Sequence, residues 1–346
     1  AINAWMTPDG VVAGPTSVGG YLDRLEAGGV AVNVATLVPH GPIRIGALGL
    51  APGTADADRT EDMVRTAEAA LDDGAFGLSV GLIYPPGMYS PPEELVALAG
   101  AVASRDRLFT AHVRGSSETL VPATRELIAI GRSTGARVHH SHLEAVGERF
   151  FDDIDTVLAL EDDARREGVR ISHDMFPYER AATMMAAIFP PWSLEGGLDA
   201  LVERLRDPET RERIRVEVET RVPAWPPWSA GGWPHNLVEA VGWDGIFVAS
   251  LGDARPDDRV GRTLAEIAAE VGRRPFDVVA DLMIENEGRV GQIVGEISGS
   301  ADELEGLRAI LGHPAAAIVS DAVSYTHLTL PTNRVAGGAG GGGGAG

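Results

Sequence analysis

Between residues 30 and 182, short runs rich in β-branched residues alternate with longer stretches whose apolar residues recur at three- and four-residue spacing. That alternation predicts repeated βα units feeding a parallel sheet. The strands fall at residues 32–40, 75–81, 108–114, 138–144 and 170–178, and the helices at 59–72, 92–104, 118–133 and 153–167. Gly74, Gly135 and Gly168 stand where helices should stop. After Tyr178 the rhythm breaks at a Pro/Trp-rich region, with PPW at 190–192, WPPW at 225–228 and GGWP at 231–234. Residues 183–300 therefore read as helical insertions, and one more strand, AAAIVSD, returns at 315–321. The expected organisation is βα units over 1–182, helical insertion and barrel helices over 183–312, and a last strand over 313–322.

Residues 323–346 are set apart from the fold. VSYTHLTLPT, at 323–332, back-translates into what looks like a common sequencing adapter, and the Gly/Ala run that follows has no side chains to bury. The opening AINAWM lacks a Met and a leading strand, so sequence upstream is expected.

Composition narrows the partners. Asp and Glu outnumber Lys and Arg by 50 to 29, a formal charge of −21 that repels phosphate backbones and anionic lipid. Nucleic acid and membrane surfaces are thus excluded as expected partners, and a small molecule is left. There is no cysteine, so any metal must be held by His and carboxylate, and disulfides are excluded. A cytoplasmic location is the corresponding expectation.

Three predicted strands end in possible metal ligands: His112 in FTAHVR, His142 in HHSHLE and Asp321 in IVSDA. In a (β/α)8 barrel the strand C-termini converge on one face, and thirty residues between the two histidines is about one βα unit. Neutral imidazoles suit zinc, and a nearby carboxylate can take a proton from water activated there. A lone strand-end histidine more often only caps hydrogen bonds; three strand-end ligands together outweigh that reading. Counting back from His142 by pleat alternation puts His140 on the inner face and His139 outward under a helix. Asp174 is preferred over His173 as an inward group orienting a ligand histidine. Arg114, two residues after His112, is expected to offer its guanidinium to a substrate carboxylate. The YPPGMY turn (84–89) reads equally as an active-face loop or a rigid turn. His40 and the tryptophans at 192, 225, 228, 233 and 243 read as packing.

The runs NVATLVPHGPIR (33–44), GAFGLSVGLIYPPGMYSPPEE (74–94), AHVRGSSE (111–118), HHSHLEAVG (139–147), DMFPYERAATMM (174–185) and PPWSLEGG (190–197) resemble, in order, the N-acyl-D-amino-acid deacylase family of the amidohydrolase superfamily. The resemblance implies an α/β fold, a (β/α)8 TIM-type metal-dependent barrel with a helical insertion. It makes NVATLVPH the third strand, so the first two are missing, along with the His-x-His pair and cysteine ligand that the family places there. It implies His112 and His142 as zinc ligands, with one or two ions, Asp321 as metal-binding general base, and Tyr178 as a substrate contact. The implied activity is hydrolysis of a linear amide, the deacylation of an N-acyl-D-amino acid or related N-acyl amine. A cyclic-amide hydrolase of the same superfamily, or an inactive metal-free fragment, is the competing expectation. One departure stands out: Glu144 occupies a position where the family usually carries Lys. The expected consequence is a substrate whose group there is neutral or cationic, unless Arg114 supplies the missing charge.

Overall fold

The computed structural model describes residues 17–227, 232–252 and 257–321; the adapter-like tail and the opening residues lie outside them. Among the described residues nine strands are formed: β1 (Leu37–Pro39), β2 (Gly77–Gly81), β3 (Leu108–His112), β4 (Arg137–His140), β5 (Ile171–Met175), β6 (Ala181–Met184), β7 (Ile246–Leu251), β8 (Val290–Val294) and β9 (Ala316–Ile318). The larger sheet has the order β1-β2-β3-β4-β5-β9, every pair parallel. Helices Ala57–Asp72, Pro92–Ala103, Leu120–Thr134 and Asp153–Arg166 cross between its strands, so the expected α/β fold is formed. Among the described residues the sheet remains open, with β1 and β9 at its edges.

The register explains which side chains reach the site. Phe109, Val138 and Ile171 pair across β3, β4 and β5 and pack with Leu98 and Leu127 on the helix side. Thr110, His139 and Ser172, one position further along, form a polar row on the other side. The next row, Ala111, His140 and His173, again faces the helices. Gly77 is required by close approach, since a Cβ there would lie 2.0 Å from the Leu108 carbonyl oxygen. Gly135 ends the Leu120–Thr134 helix in the left-handed conformation.

The region after Tyr178 is more than a helical insertion. It carries helices Leu198–Arg206, Pro208–Thr220, Leu264–Val271 and Pro275–Glu285, and also a three-stranded antiparallel sheet, order β6-β8-β7. Trp233 is buried in its core, and Trp192 lies under the Arg213 guanidinium. Trp228 is outside the described residues.

Candidate metal centre

A cavity of about 500 Å³ lies between the two sheets, lined by Ser79, Thr110 and His139 from the parallel sheet and Ala182 and Thr183 from the antiparallel one. His112, the last residue of β3, enters it. His142 and Glu144 enter from the segment just beyond β4. Each of these three offers a ligand atom, all within 4.8 Å of one another. His112 Nδ1 and His142 Nε2 are 3.2 Å apart, and two nitrogens bound about 2.0–2.1 Å from one tetrahedral zinc are separated by about 3.3 Å. His142 Nδ1 lies 2.8 Å from Glu144 Oε2, an ion pair that fixes the two side chains against each other. The spacing of the two imidazoles, with a carboxylate within reach of both, fits a cation. Asp321 stands beside the group, its Oδ2 3.9 Å from His142 Nε2.

The electrostatics are those of closely packed titratable groups. Burial pushes His142 down, but Glu144 outweighs it and holds the ring up at about 9. Burial, helped by the charge of His142, takes His112 down to about 3. Glu144 is held at about 2 by His142 in spite of its burial. Burial raises the Asp321 carboxyl, and it raises the Tyr84 phenol to about 12. That phenol lines the cavity and hydrogen-bonds Thr183 Oγ1.

Several expectations change here. Arg114 does not reach the cavity. It is 1% exposed, donates to Glu126 Oε2 at 2.7 Å and to the Ser90 carbonyl oxygen at 2.7 Å. Strand β3 ends at His112, so alternation no longer fixes where the side chain two residues later points. Tyr178 is 45% exposed, stacks on Phe176 and is not among the cavity-lining residues. The two histidines of β4 are exchanged. His139 lines the cavity and pairs with Asp174 at 2.8 Å, while His140 is buried against Glu161 at 3.1 Å under the Asp153–Arg166 helix. Residues 141 and 142 have left the strand, and counting back from His142 therefore gave the wrong face. Asp174 does point inward, accepting from Ser141 Oγ at 3.0 and 2.9 Å. His173 turns to Glu161 at 2.7 Å, and His40 packs against Glu94 at 2.9 Å. His235, which no strand pattern marks, also lines the cavity.

No family model matches the chain. The N-acyl-D-glutamate deacylase of Alcaligenes xylosoxydans xylosoxydans is 34% identical to it over 165 residues, 48% of this chain and 34% of the relative. The D-aminoacylase of the same organism is 30% identical over 166 residues, again 48% of this chain and 34% of the relative. The crystal structure of N-acyl-D-glutamate deacylase from Bordetella bronchiseptica, in complex with zinc and a phosphonate mimic of the tetrahedral intermediate, superposes with a TM-score of 0.67 at 25% identity. That likeness covers 91% of this chain and 53% of the other. A D-aminoacylase crystal structure shares the fold at a TM-score of 0.64 and 24% identity. The chain thus spans about a third of the length of the curated relatives it matches. Fold and site together define an α/β protein with a His-His-Glu group able to hold a metal. Its resemblance is to the N-acyl-D-amino-acid deacylases of the amidohydrolase superfamily.

Proposed function

We propose that this chain is the catalytic portion of a zinc-dependent hydrolase of linear amides, which deacylates an N-acyl-D-amino acid or related N-acyl compound to a free amine and a carboxylate. The observation that carries this reading is the convergence of His112, His142 and Glu144 in one cavity with Asp321 beside them. The named activities of the similar proteins, and the zinc and intermediate mimic in the Bordetella structure, support it.

In this reading His112 and His142 hold zinc through ring nitrogens and Glu144 closes the ligand group, with one ion or two. Zinc, when bound, supplies Lewis acidity toward the amide carbonyl and the attacking water. Asp321 takes the proton of that water and passes it to the leaving nitrogen; a carboxyl raised by burial is the stronger base for the task. Asp174 fixes Ser141 and His139, the residues that lead into His142.

The test is hydrolysis of N-acetyl-D-amino acids by the full-length protein, abolished by chelation and restored by zinc. Asp321→Asn should retain the metal while lowering kcat by about 10²–10⁴-fold. Turnover that survives complete chelation, or an Asp321→Asn variant with unchanged kcat, overturns the assignment.

A further inference from the structure

The parallel sheet carries a second cluster of titratable groups, on the face that packs against the helices. Glu161 is fully buried on helix Asp153–Arg166, and its carboxylate joins two strands. Oε1 lies 3.1 Å from His140 Nδ1 at the end of β4, and Oε2 lies 2.7 Å from His173 Nδ1 on β5. The two imidazoles are themselves fully buried and are register partners across β4 and β5. Burial would raise the Glu161 carboxyl, but the hydrogen bonds from His140 and His173 hold it well below the usual carboxylate range. An ionised carboxylate only accepts, so both imidazoles donate from Nδ1. Arg165 adds a contact to Oε2 at 3.3 Å and donates to the Ile171 carbonyl at 3.1 Å.

A buried cluster of this kind is a poor stabiliser. The neighbouring row on the same face, Phe109, Val138 and Ile171, is apolar. Apolar side chains at 140, 161 and 173 would fill the layer without taking three polar groups out of water. Nε2 of each imidazole is buried with no hydrogen-bond partner among the described residues, so each ring gains one bond and loses the hydration of its second nitrogen. What directed hydrogen bonds supply, and apolar packing does not, is a fixed orientation.

The strands held in this way are those that lead to the metal centre. His140 is the last residue of β4 and stands two residues before His142. His173 precedes Asp174, which accepts from Ser141 Oγ on the cavity face, so the end of β4 is held from both faces of the sheet. His173 also packs against His313, with ring centroids 5.1 Å apart, and His313 lies 3.5 Å from Asp162, the next residue of the same helix. His313 stands in the turn before β9, and β9 runs on to Asp321.

We infer that Glu161 is a positioning residue: by anchoring His140 and His173 it sets the ends of β4 and β5, and with them His142 and Asp321, at the separation the metal centre requires. For the reaction this rests on the deacylase reading; for metal affinity it rests on the centre alone.

The test uses two variants of the full-length protein. Glu161→Asp keeps the charge but is a methylene too short to span both imidazoles. The triple variant His140→Leu, Glu161→Leu, His173→Leu refills the layer with apolar side chains. Zinc Kd is measured by competition with a chelator, Tm by calorimetry, and kcat and KM with N-acetyl-D-alanine in zinc-saturated protein. The triple variant is expected to melt at or above the wild-type temperature. In both variants zinc Kd should weaken by about tenfold to a hundredfold and kcat should fall comparably, with KM within about threefold of the wild type. Wild-type zinc Kd in either variant, once folded, overturns the inference. Failure of both variants to fold also overturns it, because the cluster is then a stabilising element. A wild type that binds zinc but hydrolyses no N-acyl amino acid removes the deacylase reading, and the zinc Kd values then decide the inference by themselves. Absence of bound zinc from the wild type overturns both.

Discussion

Arg114 shows how one side chain changes the chemistry assigned to a site. Its guanidinium satisfies a buried carboxylate, Glu126, that burial would otherwise raise further. Arg114→Met should therefore strand Glu126 in the interior and cost about 3–5 kcal/mol of stability. The relative kcat/KM for acids and carboxamides should not change, because the side chain is outside the cavity. Thermal or denaturant unfolding together with that ratio decides the matter, and a changed ratio would return Arg114 to the substrate. His112 and His142 were legible in the sequence because each ends or closely follows a strand with a clear period. Glu144 was singled out as a residue that meets the substrate, and the structure groups it with the histidines. Arg114, His139 and His140 were misplaced for a common reason: alternation was applied past the point where the backbone stops being extended. His235 carried no signal, since its position depends on contacts from Thr119 and Asn236 that no local pattern encodes.

At the scale of elements, the five parallel strands and the four helices between them were readable because strand and helix periods alternate cleanly and the boundaries carry glycines. The antiparallel sheet was not. β6, β7 and β8 are four to six residues long, and β8 pairs with β6 more than a hundred residues away; short apolar runs of that kind have no period to distinguish them from helix. The packing of this insertion on the loop after β3 gives a pH prediction. Glu118 and Glu239, the latter on helix Leu237–Val241, share Arg149. Burial, followed by its hydrogen bond to Glu239, raises Glu118 to about 7. Glu239 moves down under Glu118 and Arg149, against the opposing effect of its burial, and offsets part of the dependence. A carboxyl raised on folding contributes stability that is fully present below its unfolded pKa and is lost as pH rises through the folded value. The contribution of Glu118 accordingly falls between about pH 4.5 and 7, opposed by His112 and His235, which burial holds neutral and which make stability rise over the same range, so Glu118→Gln should give a Tm that rises more steeply with pH than that of the wild type. An unchanged slope in the variant would mean that Glu118 does not retain its proton on folding.

For the whole molecule, the described parallel sheet ends in two unpaired edges, β1 and β9, and Ile318 on β9 is 69% exposed. Exposed edges with apolar side chains template association between chains. The chain by itself should therefore form concentration-dependent oligomers in light scattering, and Ile318→Lys should reduce them; a monodisperse monomer at all concentrations would count against the open sheet. Among the described residues no helix is long and apolar enough to cross a membrane. The proposed activity depends on the metal centre, and zinc analysis of the purified full-length protein tests it most directly. About one zinc or more per chain is predicted for the wild type, and less than about a tenth of that in His112→Ala and in His142→Ala, because each removes a nitrogen from a small ligand group. Zinc stoichiometry unchanged in both variants would contradict it.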